Sequence, residues 1–327
     1  MTEGTLLVTY EADAERRRTI EAALPDGVDA QYIGDADPEN HPGAVAEADA
    51  LLTFKPDREL SDAAFAALQD GQVLQAISAG VDHFPLERLP DRVQVYSNAG
   101  AYAQPMGEHV LALYLALAKR LLIEHRNLER GEWNQFAENL EVDGSTCAIV
   151  GFGAVGEAAA RRLHPLGVDV LAINRSGESD MDVSFLGTPE DLEHVLGQAD
   201  GAVLAAPLTP ETEGMIDAEA LGWMAADAML INVGRGGLID QADLYAHLEA
   251  NPEFQAGLEV WWDEPGRDEA FDPEYPFLEL PNVLGCPHNS SRVPHISMRG
   301  QQAAVENVAR ALLDGDAENT VDPNLGY

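Results

Sequence analysis

Apolar residues follow two rhythms along this chain. Short unbroken apolar runs alternate with longer stretches in which they return every third or fourth position. The first rhythm belongs to strands buried on both faces, the second to amphipathic helices. Residues 5–10 (TLLVTY) predict a strand, and residues 12–24 a helix that Pro25-Asp26-Gly27 stops. Strands follow at 50–54 and 73–77, with a helix at 61–68 between them that Ser61 is placed to cap. The segment 98–107 (NAGAYAQPMG) is rich in turn residues, and one long helix is predicted from Glu108 to Arg130, read as a bridge between two units. A second series then runs through strands at 146–150, 168–173, 201–205, 229–233, 255–258 and 282–284, before a last helix at 295–313. The tail VDPNLGY predicts no element.

Strands alternating with helices imply α/β architecture, two parallel-sheet, Rossmann-like units. A length of 327 residues, 46% of them apolar, suffices for two cores. The last helix is too short to form a domain and is expected to pack on the first unit.

Charge changes the picture most. There are 57 acidic against 19 basic residues, a net −38, and the only lysines are Lys55 and Lys119. The acids are spread through apolar-periodic sequence, which excludes a disordered acidic tail. A charge this large destabilises a compact fold in dilute buffer, whereas at 1 M salt the Debye length is only about 3 Å. The pattern resembles proteins of cells that keep molar salt in the cytoplasm. It also argues against nucleic-acid binding, since a polyanion gains nothing from counterion release. No apolar run is long enough to span a bilayer, and residues 1–18 do not read as a signal peptide, so a cytoplasmic protein is expected. Cys147 and Cys286 read as small buried hydrophobes rather than a disulfide framework, and neither HExxH nor CxxC occurs, so no metal is expected.

Gly151-Phe152-Gly153-Ala154-Val155-Gly156 follows the strand CAIV and opens the helix EAAARRL. In such a loop the first glycine makes the tight turn, the second admits a pyrophosphate to the helix N-terminus, and the third lets helix and strand pack closely. A glycine-rich turn that binds nothing would read the same. After the next strand, where a carboxylate would accept ribose hydroxyls, stand Asn174, Arg175 and Ser176. An arginine there pairs with a 2′-phosphate, so NADP is the preferred cofactor, with NAD also usable; stacking of Arg175 on the adenine is the plainer alternative.

His288 (CPHNSS) and Arg235 (INVGRGG) each lie after a strand, and Glu264 stands in DEP. Reduction of a 2-keto acid needs a proton donor, a group that keeps the donor protonated, and a cation for the carboxylate. Singly, each residue has a bland alternative: a structural histidine, one of many surface acids, a loop anchor.

The set GFGAVG, PLTPET, INVGRGGLID, WWDEP and CPHNSS, with SAGVDH and NAGAYAQPMGEH before it, resembles the D-isomer-specific 2-hydroxyacid dehydrogenase family over essentially the whole chain. That resemblance implies reversible reduction of 2-keto acids to D-2-hydroxy acids. It implies a discontinuous flavodoxin-like substrate domain (1–99 and 290–327), a dinucleotide-binding domain (100–289), a cleft between them and a homodimer. It assigns proton donor to His288, its carboxylate partner to Glu264 and the substrate arginine to Arg235. The turn Ala79-Gly80-Val81 would offer N–H groups to the substrate carboxylate, and Phe54 would bear on substrate size. Pro207, Thr212 and Val233 would lie along the cofactor. Glu259 stands where the family usually has an Asp beside the nicotinamide carboxamide. Glyoxylate/hydroxypyruvate reductase and phosphoglycerate dehydrogenase are narrower alternatives within the family, and a non-enzymatic NAD(P)-sensing protein is an alternative outside it.

Overall fold

The computed structural model describes residues 4–90, 92–266, 268–323 and 326–327. The chain divides into two compact units, Met1–Tyr102 with Val293–Tyr327, and Ala103–Arg292.

The first unit holds a five-stranded parallel sheet: β1 (Gly4–Val8), β2 (Val28–Tyr32), β3 (Ala50–Thr53), β4 (Val73–Ala76) and β5 (Gln94–Tyr96), in the order β2-β1-β3-β4-β5. Alternation along β1 sends Leu7 into one apolar core and Leu6 and Val8 into another, so both faces of the sheet are buried. The helix Ala14–Ala23 starts at Asp13, whose carboxylate accepts from the N–H groups of Glu15 and Arg16. The helix Ile296–Ala309 covers the same face, with Ala304, Val305 and Val308 wholly buried beside Ile20. As expected from its sequence, Ser61 caps the short helix Asp62–Phe65 through the N–H of Ala64. The tail does have a place: Thr320 bridges Tyr96, and buried Val321 donates its N–H to Val95.

The second unit holds a seven-stranded parallel sheet: β6 (Thr146–Val150), β7 (Asp169–Ile173), β8 (Phe185–Gly187), β9 (Gly201–Leu204), β10 (Met229–Asn232), β11 (Gln255–Leu258) and β12 (Val283–Gly285). Their order is β12-β11-β10-β9-β6-β7-β8, so the chain leaves β6 in one direction and returns at β9 to proceed in the other. That reversal opens a crevice at the carboxyl ends of β6 and β9, where sheets of this kind take ligands. Ala148 and Val150 point to one core, Cys147 and Ile149 to the other.

The single helix expected over 108–130 is two, Ala103–Ala118 and Leu121–Glu129. Arg120 breaks it with left-handed backbone, φ 51°. The first of the pair is a core element of the second unit rather than a bridge. It crosses the helix Ala154–Leu163 at Gly107, where a Cβ would come within 2.7 Å of the Ala158 carbonyl. No helix among the described residues is long and apolar enough to cross a membrane.

Candidate active site

The residues singled out in the second unit stand just beyond the carboxyl ends of its strands. The glycine loop follows β6. Gly151 has φ +97°, and a Cβ there would strike the backbone of Ala205 and Ala206, so only glycine makes this turn. A Cβ on Gly156 would meet the Gly151 carbonyl oxygen at 2.5 Å and Ile149 at 3.0 Å, which sets how closely helix and strand pack. Gly153 is different: nothing lies within 4 Å of where its Cβ would be. It caps the helix Ala154–Leu163, and both Gly153 and Ala154 are exposed. Free N–H groups at an open helix start suit a phosphate. Val155 is half-buried against the core. The residues present therefore fit a dinucleotide pyrophosphate.

After β7 the side chain of Asn174 is turned inward. Its amide donates to the carbonyls of Phe152 and Glu178, and its oxygen accepts from the Gly177 N–H at 2.7 Å. Asn174 thus shapes the turn, and exposed Arg175 and Ser176 stand at its tip. In the loop after β9, the Thr212 hydroxyl donates to the Pro207 carbonyl (2.7 Å) and accepts from the Thr209 N–H (2.8 Å). It acts as an internal brace. Pro207 is exposed, and Val233, after β10, is buried.

Arg235 follows β10. Wholly buried Asn232 ties this loop by donating to the Arg235 carbonyl and accepting from the Gly234 N–H. A Cβ on Gly236 would strike the backbone of Trp261 and Trp262. The glycine here lets the arginine loop lie against the 261–264 loop. The second loop is pinned in turn: the Trp261 indole donates to the Cys286 carbonyl and the Trp262 indole to that of Ile239.

These loops bring Glu264 to His288. Nδ1 of His288 lies 2.7 Å from Oε2 and 2.9 Å from Oε1 of Glu264, and Trp261 N–H also donates to Oε1. Burial alone would push the Glu264 carboxyl up. The hydrogen bond and charge of His288, the Trp261 N–H and the nearby Arg235 cation outweigh it and hold the group below the usual carboxylate range. With Nδ1 engaged, Nε2 of His288 is left to act on a ligand. Both side chains are about two-fifths exposed.

Glu259, expected beside the carboxamide, is wholly buried. Its Oε1 accepts from the Ser290 N–H, and its Oε2 lies 3.2 Å from Nε2 of His109. This is an ion-pair contact rather than an aligned hydrogen bond. The His109 imidazole is raised to about 9 by the Cys286 thiol and the Glu259 carboxylate that face it, against burial. Burial pushes Glu259 up; the ion-pair contact with His109 and the bond from the Ser290 N–H prevail and lower it. His109, Glu259 and Cys286 also form the one grouping, among the described residues, that could hold a metal ion. A protonated imidazole has no lone pair to offer, so the ion pair describes the site better. From sequence His109 showed no role; its partner lies 150 positions away and only the fold joins them.

In the first unit, Ala79 is exposed, Gly80 half-buried and Val81 buried. Asn98 braces the strand exit through Ile77 and Ser78. Phe54, after β3, is 45% exposed. Its N–H donates to Glu59, and its carbonyl accepts from the His83 ring. Glu59 also takes bonds from Thr9, Thr53 and the Lys55 N–H, an anchor that no sequence motif announced.

Comparison with known proteins places the chain in a family. Residues 111–290 match the family described as D-isomer specific 2-hydroxyacid dehydrogenase, NAD binding domain. A glyoxylate/hydroxypyruvate reductase B of Yersinia enterocolitica is 30% identical over 255 residues, covering 76% of this chain and 77% of that one. A D-3-phosphoglycerate dehydrogenase of Methanocaldococcus jannaschii is 28% identical over 78% of this chain, which spans only 48% of that longer protein. Among solved structures, a D-isomer specific 2-hydroxyacid dehydrogenase from Xanthobacter autotrophicus in complex with NADPH and MES is 29% identical, with TM-score 0.81 and 99% of each chain covered. An NADPH-dependent glyoxylate/hydroxypyruvate reductase from Sinorhizobium meliloti, in complex with NADP and sulfate, is 26% identical with TM-score 0.78, covering 99% of this chain and 100% of that one. The chain belongs to the D-isomer specific 2-hydroxyacid dehydrogenase family. It is accordingly an NAD(P)-dependent oxidoreductase acting on CH–OH donors.

Proposed function

We propose that this protein reduces a small 2-keto acid to the D-2-hydroxy acid, reversibly and with NADPH preferred over NADH, in a cell with molar internal salt. The observation that carries the reading is the bracketing of His288 Nδ1 by Glu264 at 2.7 and 2.9 Å, on a loop packed against that of Arg235.

A bound nicotinamide nucleotide supplies the hydride. The exposed N–H groups at Gly153 and Ala154 hold its pyrophosphate, and Arg175 with Ser176 meets the 2′-phosphate. Pro207 and Val233 border the same nucleotide. Arg235 pairs with the substrate carboxylate and polarises the keto oxygen. His288 gives a proton from Nε2 to the oxygen that becomes the alcohol, and Glu264 stabilises the imidazolium before transfer and orients it. In the first unit, N–H groups of Ala79 and Gly80 are the proposed donors to the carboxylate, with Val81 behind the turn and exposed Phe54 setting tolerated side-chain size.

The NADP preference is supported by the lack of a carboxylate at 174–176 and by the two NADP(H)-bound structural relatives. The salt reading is supported by the net charge of −38. A homodimer, a cytoplasmic location and indifference to nucleic acid complete the proposal. The test is oxidation of NADPH and of NADH against 2-keto acids of increasing size, from glyoxylate upward, in high KCl. Turnover with NADPH favoured is expected. Firm NADPH binding without turnover on any keto acid would overturn the reading.

A further inference from the structure

His288 has an unusual backbone. Its φ is +49°, in the left-handed region where side chains other than glycine are rarely found. Such a conformation persists only where neighbouring groups over-determine it. Here one residue supplies the constraint from both its main chain and its side chain. The Glu259 carbonyl accepts from the His288 N–H at 2.9 Å, and Glu259 Oε1 accepts from the Ser290 N–H. Just before them, Cys286 N–H donates to Leu258, the last residue of β11. The turn that carries His288 is therefore clasped to the end of β11, two positions apart, by a single glutamate.

That glutamate is wholly buried, so its charge needs a partner. The partner is His109, on the helix Ala103–Ala118, with Nε2 3.2 Å from Glu259 Oε2.

We propose that Glu259 and His109 act as a pair of positioning residues, in which the buried carboxylate, held by the imidazolium, clasps the 288–290 turn and fixes His288 in its left-handed, Glu264-facing pose. This rests on the reading of His288 as proton donor and assigns Glu259 a different task from contact with the carboxamide. The groups facing His109 are Glu259 from the end of β11 and the Cys286 thiol from the end of β12. As pH rises past about 9, His109 loses its proton, Glu259 loses its cation and the clasp weakens.

The test compares parent, Glu259→Gln and His109→Gln proteins in high KCl. Three readouts are taken: kcat at saturating NADPH and keto acid, the Kd for NADPH by fluorescence, and the low-field proton signal of the His288–Glu264 bond in cofactor-free protein. Both variants should lose kcat by about tenfold or more, keep the NADPH Kd within about threefold, and broaden or lose the low-field signal. The fall in parent kcat near pH 9 should be absent from His109→Gln. If Glu259→Gln does not fold, His109→Gln alone decides the matter. Unchanged kcat and signal in His109→Gln would overturn the proposal. So would weakened NADPH binding with kcat at saturation intact, the signature of a carboxamide contact. Because the proton signal needs no turnover, a protein without reductase activity would still report on the clasp.

Discussion

The two carboxylate oxygens of Glu264 straddle Nδ1 of His288, at 2.7 Å and 2.9 Å. A carboxylate placed this way fixes the ring's orientation and leaves Nε2 as the nitrogen for the proposed proton transfer. Because the Glu264 carboxyl is held below its ordinary value, the ionised form that makes this contact is present throughout the neutral range. A depressed folded value means the stabilising contribution exists above the unfolded value and is lost as pH falls through the folded one. Glu264→Gln keeps the shape and removes the charge. It should lower kcat/KM for keto-acid reduction on the order of 10²-fold. It should also lower Tm near neutrality, with the difference from the parent closing in acid. Calorimetry at both pH values checks the second effect.

Arg175 tests cofactor choice. A charge-assisted bond to a phosphate contributes about 1.5–3 kcal/mol, so Arg175→Ala should reduce kcat/KM for NADPH by about 10–100-fold and leave the value for NADH nearly unchanged. Equal losses with both cofactors would mean that the side chain stacks on the adenine instead.

Much of this was legible in the sequence, and what was not has a physical pattern. The strands foreseen have runs of fully buried residues, as in β3, β4, β9 and β10. Three strands were missed: β2, β5 and β8. All three lie at a sheet edge, where one side needs no partner and polar residues such as Asp29, Gln31 and Gln94 are tolerated. The glycine loop was readable because Gly151 and Gly156 each meet a local steric demand. The reach of buried Glu259 to His109 and of half-buried Glu59 to the 53–55 loop was not, since neither acid has a sequence mark in a chain with 57 of them.

The helix crossing at Gly107 yields a stability prediction. Gly107→Ala places a methyl group against the Ala158 backbone, so the helices must part or strain. A cost of about 1–3 kcal/mol is expected, read as a drop in Tm of several degrees in high KCl. An unchanged Tm would show that the two helices move apart freely.

Salt should act on the whole molecule. With a net charge of −38, self-repulsion is strong in dilute buffer and largely screened at molar concentrations. The Tm should climb steeply with KCl, and activity lost at low salt should return when salt is restored before aggregation. A Tm independent of KCl would remove the case for halophilic adaptation while leaving the fold and site untouched.

The central claim is that His288 donates the proton. The most direct measurement is the rate of 2-keto-acid reduction by His288→Ala beside the parent, at saturating NADPH in high KCl, with the NADPH Kd measured in parallel. A loss of about 10²–10⁴-fold in kcat is expected, with cofactor affinity barely changed. Turnover within a few-fold of the parent would contradict it.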